Sequence, residues 1–257
     1  MPRHARRKSK TGVYHVIVRG ANKQEIFHDD FDRIKYLDLL QKYKSESGFR
    51  MYAWCLMGNH VHLLMKEGSE DISLVMKRVG VSYAFYYNFK YNTTGHLFQD
   101  RFKSENVENR MYFLTVARYI HQNPIKAGMA SRPHEWKWSS CPGYYGKTVY
   151  PPTLLDPHYL FSMFSPHPSI AQTEFKEFNE RNNDDQCLEA SSLRRLTDDE
   201  ARVEIMKCLG SYEIPQVKSL SREERNTILR NVKGIQGLSQ RQAARILGVS
   251  PSLVFKV

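Results

Sequence analysis

Cysteine is scarce and scattered: Cys55, Cys141, Cys187 and Cys208 are the only four in 257 residues. No two of them form a Cys-x-x-Cys pair, which excludes a zinc knuckle and a disulfide framework of the secreted kind. No apolar run approaches the roughly 20 residues that a membrane-spanning helix needs. The basic start leads into Val13-Tyr14-His15-Val16-Ile17-Val18, too short and too strand-like for a signal peptide, so a reducing cytoplasm is expected. Internal repeats are absent as well.

What is abundant is positive charge. Lys and Arg outnumber Asp and Glu 38 to 27, a net charge of +11. Such an excess predicts long-range attraction to polyanions, nucleic acid first, although charge alone does not separate that role from solubility. Arg3, Arg6, Arg7, Lys8 and Lys10 crowd the N-terminus, a density that suits phosphate contacts or a loose tail.

Periodicity predicts the elements. Residues 13–18 read as a β-branched strand and 29–45 as a helix, with Phe31, Ile34, Leu37 and Leu40 on its apolar face. Residues 49–57 and 60–65 read as a hairpin closed by Gly58-Asn59. A second helix is expected over 73–91, a fourth strand over 102–107, and a third helix over 111–123, ended by Pro124. The order β-α-β-β-α-β plus one helix predicts an α+β fold of the ferredoxin-like, split-βαβ kind over residues 1–148. Prolines break up 149–192, read as a helical connector and linker. Helical patterning resumes over 193–257, with helices expected at 221–232 and from 238 onward.

Candidate chemistry lies in two runs. Met57-Gly58-Asn59-His60-Val61-His62-Leu63-Leu64 puts two imidazoles two residues apart on a strand, hence on one face. A bare His-x-His is more often an amphipathic strand than a metal site. Arg118-Tyr119-Ile120-His121-Gln122-Asn123-Pro124 puts a tyrosine and a carboxamide four apart, neighbours on the flank of a helix whose buried stripe is Phe113, Ala117 and Ile120. There Tyr119 could act as a nucleophile and Asn123 as an amide ligand, but Tyr119 is one of 15 tyrosines, most of which simply pack. Tyr83, Tyr86, Tyr87 and Tyr91 on the second helix illustrate that alternative. His121 could touch a phosphate or the leaving oxygen, or stand on the surface with no role, and is left outside the site.

The run His60-Val61-His62-Leu63-Leu64 resembles the HUH motif (His, hydrophobic, His) of the single-tyrosine transposases. Arg118-Tyr119-Ile120-His121-Gln122-Asn123-Pro124 resembles their tyrosine helix. Gly95-His96-Leu97-Phe98-Gln99-Asp100-Arg101-Phe102-Lys103 and Trp136-Lys137-Trp138-Ser139-Ser140 are similar to segments of the REP-associated branch, and the likeness spans roughly residues 10–147. The resemblance implies a domain that binds a divalent metal, Mg²⁺ or Mn²⁺, and cuts single-stranded DNA, often beside a hairpin. Tyr119 would become joined to a 5′-phosphate, releasing a 3′-hydroxyl, with His60, His62 and Asn123 as metal ligands. Better-known relatives carry Gln four residues after the tyrosine; here Asn123 holds that place and Gln122 precedes it. Helical phase favours Asn123, with Gln122 as the alternative. Imidazole ligands of ordinary basicity would protonate below about pH 6, so activity is expected to fall there.

Arg3, Arg6, Arg7, His96, Arg101 and Lys103 are expected to hold the strand by phosphate pairing and stacking, or to form ordinary solvated loops. At the C-terminal end Ala244 precedes Gly248 by four residues and Val254 follows by six, the spacing of a helix-turn-helix. It would read double-stranded DNA through Ser252 and Lys256, or serve as a packing hairpin. Two rivals to the transposase reading stand: an HUH-type replication or transfer nickase, and a non-catalytic DNA-binding regulator. A monomer and a homodimer are equally open.

Overall fold

The strands over 13–19, 50–56 and 60–66 are buried along almost their whole length, because helices cover both faces of the sheet they form. The computed structural model describes residues 7–188, 196–235 and 237–256. Contacts divide the chain into 1–190 and 191–257. Arg3 and Arg6, expected to touch DNA, lie outside the described residues.

In the first unit, strands β1 (Val13–Arg19), β2 (Arg50–Leu56), β3 (His60–Lys66) and β4 (Lys103–Asn106) form one sheet in the order β2-β3-β1-β4. Every neighbouring pair is antiparallel. Helices α1 (Asp30–Ser47) and α2 (Ile72–Tyr91) pack on one face through Leu37, Leu40, Val75, Val79 and Tyr83 against Val16, Trp54 and Leu63. Helix α3 (Arg110–Lys126) covers the other face, where Phe113, Ala117 and Ile120 meet Tyr52, Cys55 and Leu64. The result is a mixed α/β architecture with an antiparallel four-stranded sheet between helices.

Local chemistry explains the boundaries. Asp29 caps α1 by accepting the Asp32 amide at 3.0 Å while the Asp32 carboxylate accepts the Asp29 amide, a reciprocal capping box. Gly48 ends the helix in the left-handed region, φ 67°. Phe31 is 72% exposed rather than buried, because the inner face of α1 is set by Tyr36, Leu37, Leu40 and Tyr43. Asn109 caps α3 through the Tyr112 amide at 2.8 Å. Pro124 does not end that helix, which continues to Lys126. Proline lacks only its own N–H, and its φ suits the helix, so the last turn closes with the Ala127 amide on the Asn123 carbonyl at 3.0 Å and the Met129 amide on the Pro124 carbonyl at 2.8 Å.

The segment expected to be a connector adds to the first unit's core. Helices α4 (Cys141–Tyr144), α5 (His158–Phe161) and α6 (Pro168–Glu180) bury Tyr144, Leu160 and Phe175 with the α3 residues. Trp136 to Ser140 extends the edge at β2: the Leu56 amide donates to the Trp138 carbonyl at 3.0 Å and the Ser140 amide to the Trp54 carbonyl at 3.0 Å.

The second unit contains α7 (Asp198–Leu209), α8 (Arg222–Lys233), α9 (Gln240–Leu247) and α10 (Pro251–Lys256). Its own core comprises Ile205, Leu229, Val232, Ala244, Leu247 and Val254, among others. Gly248 turns between α9 and α10 at φ 66°. Among the described residues no helix is long and apolar enough to cross a membrane.

Candidate active site

The strand register brings the polar side chains of three strands to one place. His62 faces Ile17, His60 faces Arg19, and His15 faces Glu105 across the sheet, all on the side that α3 covers. The turn before β3 is pinned from outside: the Gly20 amide donates to the Asn59 carbonyl and the Ile26 amide to the Gly58 carbonyl, each at 2.9 Å. His60 Nδ1 lies 2.6 Å from Asn59 Oδ1. Because an amide oxygen only accepts, that nitrogen carries the hydrogen and Nε2 keeps the lone pair.

His60 and His62 rings stand 5.0 Å apart between centroids, and the Tyr119 ring stands edge-on to His62 at 5.7 Å. One helix and one hairpin, distant in sequence, therefore meet at the same point. Tyr119 is 4% exposed, deeper than the flank position that helical phase suggested, because its ring closes against His15 at 6.0 Å as well. Lys126 lies over that ring, 4.6 Å from its centroid.

Asn123 is half-buried and its Nδ2 donates to the Tyr119 carbonyl at 2.8 Å. That hydrogen bond folds the amide back along its own helix; among the described residues Asn123 makes no hydrogen bond to either imidazole. Gln122 is committed elsewhere. Its Nε2 donates to the Asn179 carbonyl at 2.7 Å and its Oε1 accepts from Asn183 at 2.8 Å. His121 is fully buried, not on the surface. It bonds Ser140 Oγ at 2.8 Å, and burial pushes its pKa down to about 3.

Burial and then the Arg19 guanidinium bring the His60 pKa down to about 4. Burial, with His15, His60 and Arg19 around it, holds His62 well below its ordinary value. Both imidazoles stay neutral far below pH 6, so the acid loss expected from ordinary histidines moves toward about pH 4.

Neutral nitrogen donors suit a divalent cation. Among the described residues no group of three His, Cys, Asp or Glu side chains could hold a metal, so a cation here would have two imidazoles and would draw its further ligands from amide, phosphate or water oxygens. The donor chemistry fits a cation that arrives with a phosphate. Sequence reasoning missed His15, Arg19 and Glu105; the signal was the alternation His15, Ile17, Arg19 along β1.

Of the expected DNA contacts, Arg7, His96 and Arg101 line one groove of about 1300 Å³ beside α2 and the 95–102 loop. Arg101 and Lys103 share a smaller cavity of about 330 Å³ with Arg19. Ser252 and Lys256 are exposed on α10 of the second unit.

Residues 8–123, the stretch that carries the histidines and the tyrosine, match the model of the IS200-like transposase family. A REP-associated tyrosine transposase of Escherichia coli (strain K12) is 23% identical over 112 residues, which are 43% of this chain and 65% of that protein. The chain thus spans 65% of the length of that curated relative. A solved structure of a REP-associated tyrosine transposase bound to a REP hairpin aligns over 59% of this chain and 89% of its own, at 19% identity and a TM-score of 0.48.

Proposed function

We propose that this chain, whose residues 8–123 match the IS200-like transposase family, is a metal-dependent enzyme that cuts and rejoins single-stranded DNA through a 5′-phosphotyrosine at Tyr119. The observation that carries this reading is the edge-on approach of Tyr119 to His62, 5.7 Å between ring centroids. The strand order β2-β3-β1-β4 supports a ferredoxin-like, split-βαβ reading of the domain.

Tyr119 Oη would form a bond to the scissile phosphorus as the bond from phosphorus to the 3′ oxygen breaks. The phenolic proton is lost and the departing oxygen takes one up, leaving a free 3′-hydroxyl. A divalent cation, Mg²⁺ or Mn²⁺, would polarise the phosphate and stabilise the charge gathering on its oxygens. His60 and His62 would hold it through Nε2, and the free amide oxygen of Asn123 is the third donor. Arg19, Arg101 and Lys103 would pair with flanking phosphates. Rejoining follows when another 3′-hydroxyl attacks the phosphotyrosine, because that linkage conserves the phosphodiester's bond energy.

In the second unit, the left-handed Gly248 between α9 and α10 and the buried Ala244 and Val254 support a helix-turn-helix that reads double-stranded DNA, with Ser252 and Lys256 facing outward. Incubation with single-stranded hairpin oligonucleotides and Mn²⁺ tests the enzymatic reading. A covalent protein–DNA band that disappears in Tyr119→Phe, with DNA affinity retained, is the expected result. DNA binding without any adduct from the unmodified chain would leave a non-catalytic regulator.

A further inference from the structure

Behind the imidazole pair lie a buried histidine and a half-buried carboxylate. His15 is fully buried on β1, and its ring stacks on that of His62 at 5.3 Å and 24°. Glu105 Oε1 lies 2.8 Å from His15 Nδ1, and His15 Nε2 lies 3.0 Å from His62 Nδ1. The same Glu105 oxygen accepts the Leu188 amide at 3.0 Å.

This chain of contacts has a direction. Burial raises the Glu105 pKa, but hydrogen bonds from His15, the Leu188 amide and Tyr112 outweigh it and leave the carboxyl below its ordinary value. Glu105 is therefore a carboxylate and can only accept, so His15 Nδ1 bears a hydrogen. An imidazole whose single ring hydrogen sits on Nδ1 keeps a lone pair on Nε2, so the hydrogen between the two rings belongs to His62 Nδ1. That leaves His62 a single lone pair, on Nε2.

We propose that Glu105 and His15 are positioning residues that hold His62 as its Nδ1–H tautomer, so that His62 Nε2 presents a lone pair to a cation. The use made of that lone pair rests on the metal-dependent reading above; the tautomer does not. An isolated imidazole exchanges between tautomers and turns about its side-chain bonds. Here both freedoms are removed before any ligand arrives, as carboxylate–histidine pairs do behind metal ligands elsewhere.

The test uses the full chain, metal-free, at pH 8 with ¹⁵N-labelled histidine. Long-range ¹H–¹⁵N correlation spectra distinguish protonated from bare ring nitrogens. The expected spectrum shows His62 with hydrogen on Nδ1 alone. Glu105→Gln retains it, since the amide oxygen still accepts from His15, whereas Glu105→Ala and His15→Phe release His62 into a mixture. Mn²⁺ affinity, read from the free-ion paramagnetic resonance signal, should fall about 10- to 100-fold in Glu105→Ala and be kept in Glu105→Gln. Hydrogen on His62 Nε2 in the unmodified chain, or an unchanged tautomer in Glu105→Ala, overturns the proposal. If the alanine and phenylalanine variants fail to fold, the unmodified and Glu105→Gln spectra still decide. A locked Nδ1–H tautomer in a chain that binds no Mn²⁺ sinks the metal reading and leaves this one standing; tight Mn²⁺ binding with an Nε2–H His62 does the reverse.

Discussion

At the scale of single residues, protons decide what the site can do. His60 and His62 are useful to a cation only while bare, and their surroundings keep them so. Folded His60 has a pKa of about 4, against about 6.5 for an unfolded chain. As pH falls, the unfolded chain takes up protons first, so the stability these rings contribute is complete above about pH 6.5 and is lost progressively toward about pH 4. His121, at about 3, adds to the same trend. Thermal unfolding followed from pH 8 to 4.5 should show a midpoint steady in the alkaline half and falling below about 6.5. Adduct formation should persist at pH 5.5, where DNA cleavage by exposed histidine ligands would already be failing; loss of the adduct by about pH 6 would mean the rings titrate as if solvated. The His60–His62 pair was visible as a local spacing, whereas Tyr119 stood out from the other 14 of 15 tyrosines only through the family resemblance. The partners His15 and Glu105 were not visible, since nothing local links residues 90 apart that meet only through strand register.

Elements succeed or fail on backbone fit. Strand β1 announced itself as a β-branched run, and β2 and β3 as a hairpin closed by Gly58-Asn59. β4 is a four-residue polar run, Lys-Ser-Glu-Asn, held by pairing with β1 rather than by any propensity of its own, so its limits could not be read beforehand. Helix α3 was legible in its stripe but not at its end, where Pro124 is tolerated in the last turn. Among the described glycines the tightest approach is that of Gly68, in the loop joining β3 to α2, to the end of α1. A Cβ at Gly68 would sit 2.0 Å from the Ser47 carbonyl oxygen and 2.6 Å from the Gly48 carbonyl carbon. These are backbone atoms and cannot swing aside. Gly68→Ala should therefore destabilise the first unit by about 1–3 kcal/mol, the usual cost of overpacking, measurable by urea unfolding. An alanine at Gly48, whose Cβ would meet nothing within 4 Å, is strained by its φ of 67° instead.

For the whole molecule, the division at 190/191 predicts separable functions. A chain ending at residue 190 keeps the imidazoles, Tyr119 and Glu105, and should still form the covalent DNA adduct. Its affinity for double-stranded DNA should drop, because the α9–α10 pair is gone; an undiminished duplex affinity would place that binding in the first unit. The net charge of +11 makes oligonucleotide binding salt-dependent, with log K falling about 0.7 per log unit of salt for each phosphate neutralised on a single strand. A flat salt titration would remove the basic residues from the interface. Composition announced the attraction to polyanions but not where the cations gather. Arg19, Arg101 and Lys103 converge only once β1 and β4 lie side by side.

Gln122 carries a mechanical implication. Its carboxamide is spent on the Asn179 and Arg181 carbonyls and on Asn183, while next to it Arg118 grips Asp185 through paired hydrogen bonds of 2.7 and 2.9 Å. Sliding or rotating the tyrosine-bearing helix would forfeit all of these at once, at about 1 kcal/mol or more apiece. The phenol is thus a fixed post and not a swinging arm. On the proposed chemistry, an exchange of ends at Tyr119 would be accomplished by nucleic acid travelling past a stationary oxygen.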